Sequence, residues 1–373
     1  LLVDRKQLLK VWLRRLLMFF SVAILGGIFT HYDAGLYQQP IAVVTKVHSQ
    51  KKQVQTDQFQ NRDYSQSQKL WLKVLNGHDR GRTLTTHNLT SGSNASDLKY
   101  RVGQQVFVHI QGTHSIKRVL ILDLKRDAVS FQVAWLVIFC LIIVMAKSGT
   151  LALLSVLVNA GLFLLAIKID ILTDADQALA LYCAVTLFLL AITTLLIYRW
   201  SLKTISVFMS SAAAIFLALL LAMGVLAVTH SRGLKFETMS YVTQTRMPLY
   251  LAETVLGILG AVMDVSGDIT ISLFEMQAKG MKLTYQQFYR IGCQVGCSVM
   301  GPLTTILFLI FTASMLPLMI LYLRNGNNLG YSISMVMSLG IFQSLTSGVG
   351  IALAVPISSA FSSWLLKRQV RLK

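Results

Sequence analysis

The chain has 373 residues, of which 54% are hydrophobic and only 13% charged, with a formal net charge of +18 and mean hydropathy +0.60. An ordinary soluble domain carries about 25% charged residues, so a water-soluble enzyme and a disordered chain are both excluded. The excess of Lys and Arg lies largely in short segments between apolar runs, where retention of positive charge on the cytoplasmic side of a membrane explains it, and no nucleic-acid partner is expected.

The basic residues Arg5, Lys6, Lys10, Arg14 and Arg15 precede an apolar run from Leu16 to Thr30. The residues that follow, His31, Tyr32 and Asp33, do not make a small-x-small cleavage site. An uncleaved first membrane span is predicted, with its N-terminus in the cytoplasm. Residues 38–127 then form a polar island with 14 Lys/Arg and the acids Asp57, Asp63, Asp79, Asp97, Asp123 and Asp127. Alternating or β-branched runs at Ile41–Val47, Lys69–Leu75, Gln105–Ile110 and Arg118–Leu124 predict strands. Asn76-Gly77, Ser91-Gly92-Ser93-Asn94, Val102-Gly103 and Gln111-Gly112 supply the turns. The island therefore reads as a small β-rich domain, barrel or compact sandwich, inserted after the first helix. Asn88-Leu89-Thr90 and Asn94-Ala95-Ser96 fit glycosylation sequons, a triplet common by chance.

Seven more apolar segments are predicted to span the membrane in residues 128–373, near 129–146, 149–167, 177–198, 204–229, 249–276, 299–323 and 332–365. A bilayer-spanning helix needs roughly 20 apolar residues. The fold class is thus an α-helical polytopic membrane protein of about eight transmembrane helices, with the β-rich domain outside. An even count puts both termini on one side. On that reading the cytoplasmic segments hold 15 Lys/Arg against 5 in the short outer loops, which places both termini in the cytoplasm. The cytoplasmic membrane is the expected location and the bilayer itself the first partner.

The four cysteines do not suggest a disulfide framework: Cys140 and Cys183 fall in apolar spans, and Cys293 and Cys297 are a helical turn apart. No P-loop, HExxH or GxSxG is present. No cofactor is expected, the identity of any metal is open, and an enzymatic role is not expected.

The chemistry concentrates in the segment from Tyr250 to Met276, which carries Glu253, Asp264, Asp268 and Glu275 and no basic residue. At about 100° per residue, with Asp264 at zero, Asp268 lies near 40°, Glu275 near 20° and Glu253 near −20°. All four share one face, and Gly257 and Gly260 lie on it or at its edge. An acid inside hydrocarbon costs several kcal/mol unless protonated, paired or hydrated. The face is expected to look into the bundle, at a cavity or at partners, and its functional reading is a cation or proton path, while the structural alternative has the end glutamates reaching headgroup water and the aspartates bonded to Ser and Thr. Ser266-Gly267, between the aspartates, is a candidate helix break of the kind that exposes carbonyls to cations, with small-residue packing as the alternative. Gly292 and Gly296 have the spacing of close helix packing. Thr304 and Thr305 are placed to hydrogen-bond an aspartate of the preceding helix. Ser344, Thr346, Ser347, Gly348 and Gly350 make a polar strip in the last span, read either as pore lining or as hydroxyls bonded back to the helix. Asp170, Asp174 and Asp176 lie together in an outer loop.

The run Gly260-Ala261-Val262-Met263-Asp264-Val265, with Asp268 and Glu275, resembles the signature of the YibE/F-like bacterial membrane proteins. So do Met300-Gly301-Pro302-Leu303-Thr304-Thr305 and Ser314-Met315-Leu316-Pro317-Leu318. The resemblance implies an integral membrane protein with one span, an outer β-rich domain and a multi-span region, and it supplies no substrate. Two functions stay open. One is a transporter or channel subunit for a small solute or cation, using Asp264, Asp268, Ser266, Gly267, Thr304, Thr305, Glu253 and Glu275. The other is a membrane-anchored binding or assembly protein whose β-domain engages an envelope partner.

Overall fold

The computed structural model describes residues 5–93, 97–112, 118–172, 177–239, 246–281 and 283–371. It divides into two compact units, Leu1–Ala146 and Lys147–Lys373. The sequon at Asn94 and the acids Asp174 and Asp176 lie outside the described residues.

The first unit opens with helix α1 (Arg5–Tyr32) and a single 3-10 turn, Asp33–Leu36. Six antiparallel strands follow: β1 (Ile41–Ser49), β2 (Gln53–Thr56), β3 (Arg62–Val74), β4 (Thr83–Ser91), β5 (Gln105–Gln111) and β6 (Arg118–Leu124). β1 lies between β3 and β5, β6 flanks β5, and the long β3 also pairs with β2 and β4. The sheet curls into a half-barrel that brings β4 to β6, where the Thr86 hydroxyl donates to the Val119 carbonyl at 2.7 Å. The alternation that predicts strands also builds the core: Ala42, Val44, Leu70, Leu72, Val74, Val106, Val108 and Val119 all point inward and are buried. Burial also pushes the Tyr100 phenol up from its ordinary value. The predicted turns at Gly77 and Gly103 have φ of +80° and +89°, backbone that glycine adopts without a steric penalty.

Leu84 of β4 packs on this core, but the rest of the strand's inward face is polar. The Asn88 amide donates to Gln68 Oε1 and to the Leu98 carbonyl, and Thr90 donates to the Gln66 carbonyl. Gln68 in turn donates to the Tyr100 carbonyl and accepts from the Tyr100 N–H. Asn88, expected as a sequon, has its amide engaged inside the half-barrel.

Helix α2 (Asp127–Leu172) closes the first unit and opens the second. The two spans predicted at 129–146 and 149–167 lie in this one helix. Ser148 and Gly149 lower helix propensity, but the stretch contains no proline to remove a backbone donor. The second unit continues with α3 (Ala178–Tyr198), α4 (Leu202–Thr229), α5 (Arg246–Ala278), α6 (Tyr285–Arg324) and α7 (Leu329–Arg371). Among the described residues, seven helical segments are long and apolar enough to cross a membrane, and Asp127–Ile143 is a shorter apolar one.

In the second unit α5 packs against α3, α4, α6 and α7. Its core positions Val255, Ile258, Val262, Val265, Ile269 and Leu273 are fully or almost fully buried. Gly292 and Gly296 are the close-packing pair their spacing predicts. A Cβ at Gly292 would sit 2.6 Å from Ser359 Oγ, and one at Gly296 would sit 2.6 Å from Val355 Cγ1 and 3.0 Å from Ile269 Cδ1. Gly296→Leu is therefore expected to force α6 off α5 and α7 and to destabilise the bundle by about 1–3 kcal/mol. A thermal unfolding curve in detergent unchanged from wild type would contradict the packing role.

Candidate functional site

Helix α5 is unbroken from Arg246 to Ala278, so of the two readings of Ser266-Gly267, a helix break or small-residue packing, the packing one holds. The physical reason is that both residues are held by neighbours. Ser266 is fully buried and accepts a hydrogen bond from Ser358 of α7 at 2.9 Å. Gly267 makes room for the Tyr198 hydroxyl of α3, which would lie 2.5 Å from an added Cβ. The two are packing residues within a continuous helix.

The four acids do share a face, and it is the open one. Between positions 253 and 275 the exposed residues are Glu253, Gly257, Gly260, Asp264, Asp268 and Glu275. Every other position in that stretch is buried or half-buried. Over 22 residues this stripe is about 33 Å long, the thickness of a bilayer core. Within the second unit α3, α4, α6 and α7 occupy the other sectors of α5, so of the expected surroundings, bundle, cavity or partner, these four helices do not supply the cover. Tyr198 stands at one border, within electrostatic range of Asp268 and Asp264. Gln343 of α7 stands at the other, its Nε2 2.9 Å from where a Cβ on Gly257 would lie.

Thr304 and Thr305 do not join the acids. Their hydroxyls donate to the carbonyls of Met300 at 2.9 Å and Gly301 at 3.0 Å, one turn back along α6. Ile269 and Leu273, the α5 side chains that meet α6 at Gly296 and Gly292, lie about 140–180° round the helix from Asp264. The threonines line a separate groove of about 280 Å³ between α6 and α7, with Phe308 and Ser344. In α7, Thr346 and Ser347 donate to the carbonyls of Phe342 and Gln343, so the bonded-back reading holds for these two.

A second polar feature escaped the sequence reading. Ser206 of α4, Ser266 and Thr270 of α5, and Ser358 and Ser362 of α7 are all fully buried. The Ser362 hydroxyl shares hydrogen bonds with Ser206 at 2.9 Å and Thr270 at 3.0 Å. This hydroxyl seam bonds three helices together behind the acidic stripe. The four-residue spacing of Ser206-Ser210 and of Ser358-Ser362 was its signal, because small residues at that spacing let helices approach. Tyr198 and Gln343 had no local signal, since their place at the stripe depends on tertiary packing alone.

Among the described residues no three His, Cys, Asp or Glu side chains converge as a metal site would require. Cys293 is half-buried and Cys297 exposed.

Residues 35–124 match the model of the YibE/F family N-terminal domain, and residues 133–368 match that of YibE/F-like protein. Searches of curated proteins and of solved structures return no match. The two matched segments leave only the first helix, a short joint and the extreme C-terminus uncovered, and the chain belongs to the YibE/F-like family.

Proposed function

We propose that the protein is a membrane transporter or channel subunit in which the acidic face of α5 carries a cation or proton through the bilayer. One observation carries this reading: the exposed positions of α5 between 253 and 275 are four carboxylates and two glycines, with no apolar side chain among them. A helix face turned to lipid would show Leu, Ile, Val and Phe, as α6 does at Ile306, Phe308, Leu309 and Ile310. A carboxylate in hydrocarbon costs about 2.5–3.5 kcal/mol even by the mildest scale, so the stripe requires water or a second protein surface against it. Water along the glycine-widened face would let each acid hold a hydrated cation or a proton. Tyr198 and Gln343 at its borders add hydrogen-bonding groups suited to a partly dehydrated ion.

The charge bias supports a cytoplasmic N-terminus and a half-barrel outside the cytoplasmic membrane. Both termini are cytoplasmic if the apolar segments Asp127–Ile143 and Gly149–Leu172 of α2 act as separate crossings. Reconstitution tests the function. Liposomes containing the purified chain should pass protons or a monovalent cation faster than empty liposomes when a gradient is imposed. Equal rates would remove the transport reading and leave the envelope-binding one.

A further inference from the structure

The first unit contains two cavities that share a wall. One, of about 500 Å³, is a trough between α1 and the start of α2, lined by Ala23, Ile24, Gly27 and Ile28 on one side and Ala128 and Gln132 on the other. The other, of about 620 Å³, lies under the half-barrel and includes Asn76, Gly77, Arg80 and Gln105. His31 and Tyr32 line both. Each volume falls in the range of roughly 300–1,000 Å³ typical of ligand pockets.

The two cavities differ in chemistry along one line. The trough is apolar and runs along α1 for about two turns, roughly 12 Å from Ala23 to His31. It borders the seam where α1 and α2 pack at Gly26 and Phe131, so close that a Cβ on Gly26 would overlap the Phe131 ring. The upper cavity is mixed, with Ala34, Val43 and Leu75 lining it beside the polar Asn76, Arg80 and Gln105. Asn76 and Gln105 hold its walls: Asn76 donates to the carbonyls of Tyr37 and Gln39, and Gln105 donates to the carbonyl of His31. Arg80 remains exposed on the turn after Gly77 with no ion pair among the described residues, whereas its neighbour Arg82 is paired with Asp79 at 3.1 Å. The nearby acids Asp33 and Asp127 share one counter-charge, Lys125, at 2.7 Å and 3.1 Å, which leaves a single net negative charge where two would otherwise stand. His31 and Tyr32 fall near the end of the first apolar span, at the depth of lipid headgroups, where aromatic residues with polar tips are favoured.

We propose that the two cavities are one site for an anionic phospholipid, its phosphate on Arg80 and His31 and an acyl chain in the trough. Arginine matches phosphate with paired N–H donors, and an apolar channel opening into the bilayer beside it fits a chain attached to that phosphate. This site is independent of α5 and of the transport reading.

The test uses the full chain purified in detergent and native mass spectrometry. The probes are dioctanoyl phosphatidylglycerol, dioctanoyl phosphatidylcholine and glycerol phosphate. Wild type should retain phosphatidylglycerol, hold phosphatidylcholine more weakly, and lose glycerol phosphate, which has the anion without the chain. Arg80→Gln should weaken phosphatidylglycerol at least tenfold, to the level of phosphatidylcholine. Gly27→Phe should weaken both lipids, because it fills the trough; the space is there, since the nearest atom to an added Cβ is Gln132 Nε2 at 3.6 Å. Arg80 is exposed, so its substitution leaves the fold intact and decides the headgroup contact even if Gly27→Phe fails to fold. Equal retention of phosphatidylglycerol by wild type and Arg80→Gln would overturn the proposal. So would glycerol phosphate binding as tightly as the lipid, which would mean a free-anion pocket, or a co-purifying polypeptide that blocks both lipids.

Discussion

Asp264→Asn and Asp268→Asn are each expected to lower cation or proton flux in proteoliposomes at least tenfold, with insertion and thermal stability unchanged. The two carboxylates lie one helical turn apart, about 5–6 Å between Cβ atoms, near the middle of the stripe. Two like charges at that separation destabilise each other, and a cation or proton held between them removes the repulsion. Asparagine keeps the shape and one acceptor oxygen but cannot carry the charge. A tenfold loss corresponds to about 1.4 kcal/mol of barrier, a modest demand on a charge that contacts the moving ion. Glu253→Gln and Glu275→Gln, nearer the helix ends and headgroup water, should change flux less than about threefold on the same reasoning. Wild-type flux in both asparagine variants would remove the central aspartates from the pathway.

The second large effect is expected at the joint of the first unit. The Lys125 side chain is 3% exposed, and its ammonium lies 2.7 Å from Asp33 and 3.1 Å from Asp127. It also donates to the Thr30 carbonyl at 2.5 Å, at the end of α1. The Tyr37 hydroxyl donates to the Asp127 carboxylate, and that hydrogen bond, with burial, pushes the phenol up to about 12. One ammonium thus ties the end of α1, the strand β6 it follows and the start of α2. Lys125→Met leaves Asp33, only 8% exposed, without its counter-charge. Removing one partner of a buried pair costs about 3–5 kcal/mol, against at most about 1 kcal/mol for an exposed pair. Thermal unfolding of the full chain should show that loss, and Lys125→Met combined with Asp33→Asn should recover more than half of it. A loss below about 1 kcal/mol in the single variant would show that the cluster is solvated.

The parts legible in the sequence are those governed by local periodicity. β1, β5, β6 and the second half of β3 alternate apolar and polar residues, and the structure has strands there. β4 was missed because three of its four inward residues, Thr86, Asn88 and Thr90, are polar, satisfied by long-range hydrogen bonds that no local pattern reveals. β2, a Gln-Val-Gln-Thr run exposed throughout, has no buried face to advertise. The acidic face of α5 followed from the 100° rotation alone. Its surroundings did not: Ser266 looked like a break until Ser358 was placed against it, and Thr304 looked like a partner until α6 was placed on the opposite side. Asp33 and Lys125 are 92 positions apart, so their pairing is a fact of tertiary structure only.

Cysteine accessibility along α5 tests the central claim most directly. In a chain with the four native cysteines replaced by serine or alanine, single cysteines at Gly257, Gly260, Ile258 and Val262 would be treated in intact membranes with a charged, membrane-impermeant thiol reagent. Gly257→Cys and Gly260→Cys are expected to react, since thiols react as thiolates and thiolates form in water, and Ile258→Cys and Val262→Cys, which replace fully buried side chains, are expected not to. Silence at both glycine positions, with labelling retained at a loop cysteine as a control, would mean that the face is dry and would contradict a hydrated acidic path.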